Sequence, residues 1–270
     1  MPTKIVWVLN LSPDSFADWY IYSAHSLEQK IHKLIQDGAD VIDVWAERTT
    51  PGSTPVTLEE ELHRLEDFFV LLEKFKNTPV QFSLDTKKYL VARKGIEKWV
   101  HMINDVSAWR ADKDMHWLIA EHPETQYVVM YCKNPYGHAD LETEKNPEDI
   151  LATVIEFFDN FLPMLSTQWI RKEQIILDPG MGSFISTDYR DSIKILQSIW
   201  ILKTRYNLPL TISTSKKRFL SKISPDKWPY DRVGSSIVSS LFASTQGADY
   251  IRMHNVYEMR QALQTWKALQ

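Results

Sequence analysis

The sequence predicts an α/β fold built as a single (β/α)8 TIM barrel, and three observations predict it. Short apolar, β-branched runs alternate with longer segments of helical periodicity, the signature of βαβ units and a parallel sheet. Eight such runs lie between residues 5 and 254, the number a closed barrel needs. The composition is that of a globular chain, with 44% hydrophobic and 24% charged residues in 270. No linker or low-complexity stretch divides it, so residues 1–270 read as one domain. An open doubly wound sheet is the alternative packing of the same units.

The first run, residues 5–10, is followed by Leu27, Ile31, Leu34 and Ile35 at helical spacing. The second, 40–45, is followed by Leu62, Leu65, Phe68, Phe69 and Leu72. Runs at 81–85, 102–106 and 126–131 precede the helical pattern of Ile150, Val154, Phe157 and Phe158. The run 175–178 leads into Ile193, Ile195, Leu196 and Ile199, the run 210–213 leads into Val238, Leu241 and Phe242, and 250–254 is the eighth. Gly38-Ala-Asp-Val-Ile-Asp43 is echoed by Gly247-Ala-Asp-Tyr-Ile-Arg252, each glycine standing between a helix and a strand, where a left-handed C-cap is needed. Residues 133–146 and 221–231 are polar and read as long loops, the second without helix because of Pro225 and Pro229. Trp7, Trp45, Trp109 and Trp117 are expected to pack in the core or under lids, with Trp45, at a mouth position, the one to weigh for ligand stacking.

A formal net charge of −4 argues against a dominant nucleic-acid or anionic-membrane surface. The single cysteine, Cys132, allows neither an intramolecular disulfide nor a CxxC metal site, and reads as an inert thiol. The N-terminus has no signal-peptide run, and no stretch approaches the roughly 18 apolar residues of a membrane span. A cytoplasmic protein is the expectation. Only 8 glycines occur in 270 residues, so close backbone approaches are few.

In a parallel barrel the C-terminal strand ends line one mouth. Here that mouth receives Asn10, Asp43 to Glu47, Asp85, Asn104, Met130, Asp178, Ser213 to Lys217, Arg252 and His254. Any one of the polar residues could simply cap the next helix, but a structural barrel needs no such cluster. Asp85, Asn104 and Asp178 offer the acceptors and donors that an aminopyrimidinone edge requires. Lys217, Arg252 and His254 read as cationic donors for a phosphate or a ring carbonyl. Arg252 and His254 are one residue apart in a strand and so share a face.

The segment Asn10-Leu-Ser-Pro-Asp-Ser-Phe resembles the first signature of the dihydropteroate synthase family. In the family's order follow Asp43-Val-Trp-Ala-Glu-Arg-Thr-Thr-Pro-Gly52, Ser83-Leu-Asp-Thr-Lys87, Ile103-Asn-Asp-Val106, Leu177-Asp-Pro-Gly-Met-Gly182, Ser213-Thr-Ser-Lys-Lys217, Arg232-Val-Gly-Ser235 and Gly247-Ala-Asp-Tyr-Ile-Arg-Met-His254. The resemblance spans the chain and implies condensation of 6-hydroxymethyl-7,8-dihydropterin diphosphate with p-aminobenzoate. It implies that Asp85, Asn104, Met130, Asp178, Lys217 and Arg252 bind pterin, and that Asn10, Arg252 and His254 bind pyrophosphate, with Mg²⁺ at Asn10. It implies that Phe16, Thr49, Pro51 and Lys217 bind p-aminobenzoate, that Lys217, Asp18, Arg252 and His254 are catalytic, and that the chain forms a homodimer through helices 232–246 and 256–269.

The floor motifs are intact and the lid motifs depart from the family pattern. Asp-Gly-Gly after the first loop is Asp18-Trp19-Tyr20, and Gly-Gly-Glu-Ser-Thr-Arg-Pro-Gly is Trp45-Ala-Glu-Arg-Thr-Thr-Pro-Gly52. Phe-Gly-Lys after Asp-Pro-Gly-x-Gly is Ser183-Phe-Ile185, and the serine after the Lys motif is Arg218. Two readings compete. In an active synthase, Arg218 pairs the p-aminobenzoate carboxylate and Arg48 replaces the lost loop arginine. In a paralogue, the pterin pocket is kept while the amine substrate is lost or changed. A methyltetrahydrofolate-binding methyltransferase is a third class, opposed by the Ser-Lys-Lys motif and the Arg-x-His pair.

Overall fold

The computed structural model describes residues 2–12, 23–47, 49, 53–139, 146–226 and 228–270. Eight strands, β1 Lys4–Asn10, β2 Val41–Trp45, β3 Gln81–Asp85, β4 Met102–Asp105, β5 Gln126–Met130, β6 Ile175–Asp178, β7 Thr211–Ile212 and β8 Tyr250–Met253, form one sheet. Its order is β6-β5-β4-β3-β2-β1-β8-β7, with every paired neighbour parallel. The two ends meet through a bridge between Leu177 and Leu210 and a 2.8 Å bond from Leu177 N–H to Pro209 C=O, giving a nearly closed barrel. The (β/α)8 expectation holds. β7 is shorter than the run 210–213; Leu210, just before it, forms the bridge to Leu177 and gives its N–H to the Asp249 carboxylate at 2.8 Å.

Alternation along the strands separates two cores. Ile5, Ile42, Phe82, Ile103, Tyr127 and Ile251 point outward, into the layer shared with the helices. That layer takes Leu27, Ile31 and Leu34 from helix Ala24–Gln36 and Phe68, Leu71 and Leu72 from helix Glu66–Phe75. Val6, Val41, Met102, Val128, Ile176 and Tyr250 point inward and plug the barrel. Gly38 and Gly247, at φ +92° and +104°, end their helices in the left-handed conformation the sequence echo predicts.

Four expectations are corrected. The pattern at 62–72 belongs to two helices, Leu58–Arg64 and Glu66–Phe75, joined at Leu65. The loop 221–231 holds the end of helix Leu220–Ile223 and a 3-10 turn Pro229–Arg232, where Pro229 sits in the first turn and its missing N–H is not needed. Trp117 is exposed, whereas Trp109 is buried against Phe161, ring centroids 4.4 Å apart. Helix Ile150–Thr167 has 18 residues and a mean hydropathy of 1.2, enough in length and composition to cross a membrane, although Glu156 and Asp159 interrupt its apolar run. Here its Ile150, Val154, Phe158, Phe161 and Leu165 are buried on the barrel, and Asp159 pairs with Arg205.

Candidate active site

The apolar plug becomes polar two residues further along four of its strands, while β1 and β5 continue with Val8 and Met130. Above Val41, Met102, Ile176 and Tyr250 stand Asp43, Asn104, Asp178 and Arg252, on the same inward face by the period of two. A cavity of about 10 Å³ separates the layers, lined by Asp43, Ser83, Met102 and Arg252 among others, so the site is a mouth and not a channel.

Arg252 is the hub of this layer. Its Nε donates to Asp43 Oδ2 and its Nη2 to Asp85 Oδ2, each at 2.7 Å. Asn104 Nδ2 donates to the same Asp43 oxygen at 3.2 Å. Asp43 Oδ1 is buried with no hydrogen-bond partner among the described residues. Two carboxylates thus share one guanidinium, and an acceptor stays open. Burial pushes the Asp85 carboxyl far above its usual range; Arg252 opposes this, while Asp43, Glu61 and Asp105 add to it. Asp43, which the sequence places at the mouth but to which it gives no role, is the acceptor that Arg252 and Asn104 share. Its signal was its place two residues beyond inward-facing Val41.

Asp178 is held from β6 by the chain reversal after it. Gly180 N–H donates to Asp178 Oδ1 at 2.8 Å. Gly180 has φ +73°, and a Cβ there would lie 2.4 Å from Tyr131 O and 2.6 Å from Ile185 Cγ2, so only glycine fits. Burial raises the Asp178 pKa to about 6, opposed by the Gly180 N–H and by Lys217. Burial lowers Lys217 to about 8, opposed chiefly by Asp178. The two groups therefore face each other as ions only between roughly those values. Lys217 Nζ stands 4.7 Å from the Phe184 ring centroid, and Phe184 packs against Met130, Val106 and Cys132.

His254 departs from the expected cationic role. Burial first, then Lys216, Arg252 and Lys217, lowers its pKa to about 3, so the ring is neutral. Its Nδ1 lies 2.9 Å from Ser215 Oγ, which accepts the His254 backbone N–H at 3.2 Å. Donation of the hydroxyl to Nδ1 leaves the proton on Nε2, a neutral donor. Asn10 is buried at the end of β1. Its Oδ1 accepts from Ser12 N–H at 2.8 Å, and its Nδ2 has no partner among the described residues.

A second ionic cluster lies at the rim. Lys88 bridges Glu47 and Glu61, and Lys87 lies 3.4 Å from Glu47. Burial raises Glu61, opposed by Lys88, while Lys88 and Lys87 hold Glu47 below its usual range despite its burial. Thr49 offers its backbone C=O to Ala139 N–H at 3.0 Å, and Arg218 is exposed. The structure thus brings Asp85, Asn104, Met130, Asp178, Lys217, Arg252 and His254 to one end of the barrel. Phe16, Asp18, Arg48 and Pro51 lie outside the described residues. The rim cluster as a unit was not read from the sequence: Glu47 and Lys87 fall inside quoted motifs, but nothing local pairs them with Glu61 and Lys88.

A model of the pterin binding enzyme family matches residues 6–254. Dihydropteroate synthase type-3 of Escherichia coli is 32% identical, over 99% of both chains. Dihydropteroate synthase of Synechocystis sp. is 31% identical, over 99% of this chain and 90% of its own. Among solved structures, dihydropteroate synthase of Xanthomonas albilineans with 4-aminobenzoic acid superposes with a TM-score of 0.88 at 28% identity, covering 99% of this chain and 93% of that one. The Anaplasma phagocytophilum dihydropteroate synthase with bound 6-hydroxymethylpterin-monophosphate gives 0.86 at 31% identity over 100% of both chains.

Proposed function

The chain belongs to the dihydropteroate synthase family of pterin binding enzymes, and from that premise we propose how its residues divide the reaction. It is a transferase of folate biosynthesis, condensing 6-hydroxymethyl-7,8-dihydropterin diphosphate with p-aminobenzoate to give dihydropteroate and pyrophosphate. The observation that carries the assignment of residues is the open acceptor capacity of the inward polar layer, where Asp43 and Asp85 share one guanidinium and Asp43 Oδ1 has no partner among the described residues.

The flat bicyclic ring sits on this layer. Asp85 and Asp178 accept from ring N–H and amino groups, Asn104 supplies an amide, Met130 and the Arg252 plane cover the ring faces, and Lys217 donates to the ring carbonyl side. The C–O bond at the pterin methylene breaks and its electron pair leaves with pyrophosphate. Arg252, the neutral His254 Nε2–H and Asn10 Nδ2 donate to the developing charge. The methylene becomes cationic and the two aspartates stabilise it. The arylamine nitrogen attacks, the C–N bond forms, and the amine proton passes to pyrophosphate or solvent. Thr49 and Lys217 are assigned to the amine and Arg218 to its carboxylate, and the family resemblance adds Phe16 and Pro51 as amine-binding and Asp18 as catalytic, three residues outside the described ones.

Mg²⁺ belongs to this reading as a partner of the diphosphate. Among the described residues no group of three or more His, Cys, Asp or Glu side chains could hold a metal by itself. Asn10 Oδ1, which accepts one bond from Ser12 N–H and keeps a second lone pair, is the protein oxygen that would hold the cation beside the diphosphate. When bound, it neutralises charge on the leaving group. A homodimer and a cytoplasmic location complete the reading, as does one domain spanning residues 1–270. The dimer is supported by Val238 and Phe242 on helix Val233–Thr245 and Tyr257 and Trp266 on helix Val256–Ala268, all exposed.

The test is pyrophosphate release from the dihydropterin diphosphate with Mg²⁺, with and without p-aminobenzoate. Release that requires the amine supports the reading; release indifferent to the amine, or none, overturns it.

A further inference from the structure

Lys87 follows β3 by two residues and reaches across to two other loops. Its ammonium meets Glu47 Oε1 at 3.4 Å, His138 Nε2 at 2.7 Å and the Tyr136 carbonyl at 3.3 Å. Glu47 belongs to the loop after β2, and Tyr136 and His138 to the loop after β5. These same two loops are joined by the bond from Ala139 N–H to Thr49 C=O, one residue beyond His138 and two beyond Glu47. The loop after β5 is itself seated firmly. Tyr136 N–H and Gly137 N–H bond back to Asn134, at 2.8 and 3.0 Å, and Gly137 at φ +72° lies so close to the loop after β4 that a Cβ would come 2.8 Å from Val106 Cγ2 and 3.2 Å from Ser107 N. The Lys87 side chain is only 11% exposed and Glu47 only 5%, so this contact is shielded from solvent.

We infer that Lys87 is a positioning residue for the amine half of the reaction, pinning the loop after β5 to Glu47 and so holding Thr49 where p-aminobenzoate binds. This rests on the amine-side role proposed for Thr49. The Lys87 partners among the described residues, Glu47, His138 and Tyr136, are distinct from the hydrogen-bonded set Asp43, Asp85, Asn104 and Arg252 of the pterin layer.

The contact carries a sign. A lysine ammonium only donates, so His138 Nε2 must accept and the ring must be neutral. His138 faces Lys87, Lys88 and Glu47; burial, then Lys87, pushes its pKa below the ordinary 6.5, and Glu47 pulls the other way. Protonation at lower pH sets two cations against each other and breaks the pin. The contact is whole above pH 6.5 and is lost as pH falls through the depressed value.

The experiment is two-substrate steady-state kinetics of the wild type, Lys87→Met, Lys87→Gln and Lys87→Arg, together with hydrogen exchange at the Ala139 amide. Lys87→Met is expected to raise the KM for p-aminobenzoate about tenfold, the scale of one lost charge-assisted hydrogen bond. The KM for the pterin diphosphate stays within about twofold, since the pterin floor is not involved. Ala139 exchange speeds up and Lys87→Arg recovers most of the loss. The wild-type amine KM rises as pH falls through the depressed His138 value, below 6.5, and that of Lys87→Met does not. If Lys87→Met does not fold, Lys87→Gln carries the same split. An unchanged amine KM, both KM values rising together, or unaltered Ala139 exchange overturns the inference. Absence of amine-dependent turnover in the wild type instead sinks the proposed function, while faster Ala139 exchange in Lys87→Met still supports the pin.

Discussion

The barrel mouth and its rim each bury an ionic cluster, and the two are balanced differently. At the mouth two carboxylates, Asp43 and Asp85, divide one guanidinium, and Asp43 Oδ1 has no partner among the described residues. At the rim Glu47 and Glu61 meet two ammoniums, Lys87 and Lys88. Formal charge closes in the second cluster and not in the first. Open acceptors do not separate them, since Glu47 Oε1 and Glu61 Oε1 at the rim lack a hydrogen-bond partner among the described residues just as Asp43 Oδ1 does at the mouth. What separates them is placement: Asp43, Asn104 and Arg252 line the cavity at the strand ends, where a ligand's N–H groups can reach them, whereas Glu47, Glu61, Lys87 and Lys88 tie loops and a helix together. Neighbouring residues on β4 repeat the contrast. Asn104 faces the mouth, while Asp105, facing outward, is filled by Ser107, Trp109 and Tyr127 and only anchors the chain.

The largest expected effect sharpens the mouth's side of this contrast. Lys217→Ala should lower kcat by about a thousandfold, as for loss of a principal charge-stabilising donor, with an unchanged circular dichroism spectrum. Wild-type-like rates would refute the assignment. Asp43→Asn should weaken pterin binding by calorimetry about 10–100-fold, because the shared acceptor of Arg252 and Asn104 loses its charge. Glu61→Gln at the rim should do the reverse, lowering unfolding free energy by about 2 kcal/mol while leaving pterin affinity alone, since Lys88 loses one of two buried partners. The contrast breaks if Glu61→Gln weakens pterin as much as Asp43→Asn does. The smallest effect is one of pH. With Asp178 near 6 and Lys217 near 8, kcat/KM for the pterin diphosphate should follow a bell between those values. A flat profile from pH 5 to 9 would remove both groups from the rate-determining chemistry.

Most of the fold was legible because each strand signal is local. The runs at 81–85 and 175–178 coincide with β3 and β6, and the others fall within one or two residues of the observed ends. The break at Leu65 was not, since Leu62, Leu65 and Phe68 keep apolar spacing through it. In the site, the polar strand ends were readable one by one, and His254 was misread only in charge, because its neutrality comes from burial among Lys216, Arg252 and Lys217.

By itself the sequence determined which face each residue takes. Two-residue alternation is a property of a single strand, so Val41 and Asp43, or Tyr250 and Arg252, must share a side wherever the strand lies. Partnership was decided by the tertiary structure alone. Arg252 meets Asp43 across 209 residues and Asp85 across 167, and Lys87 meets His138 across 51. Such contacts, and the protonation states that follow from them, depend on how strands are ordered around a nearly closed sheet and how much water that closure excludes. No local pattern encodes either one.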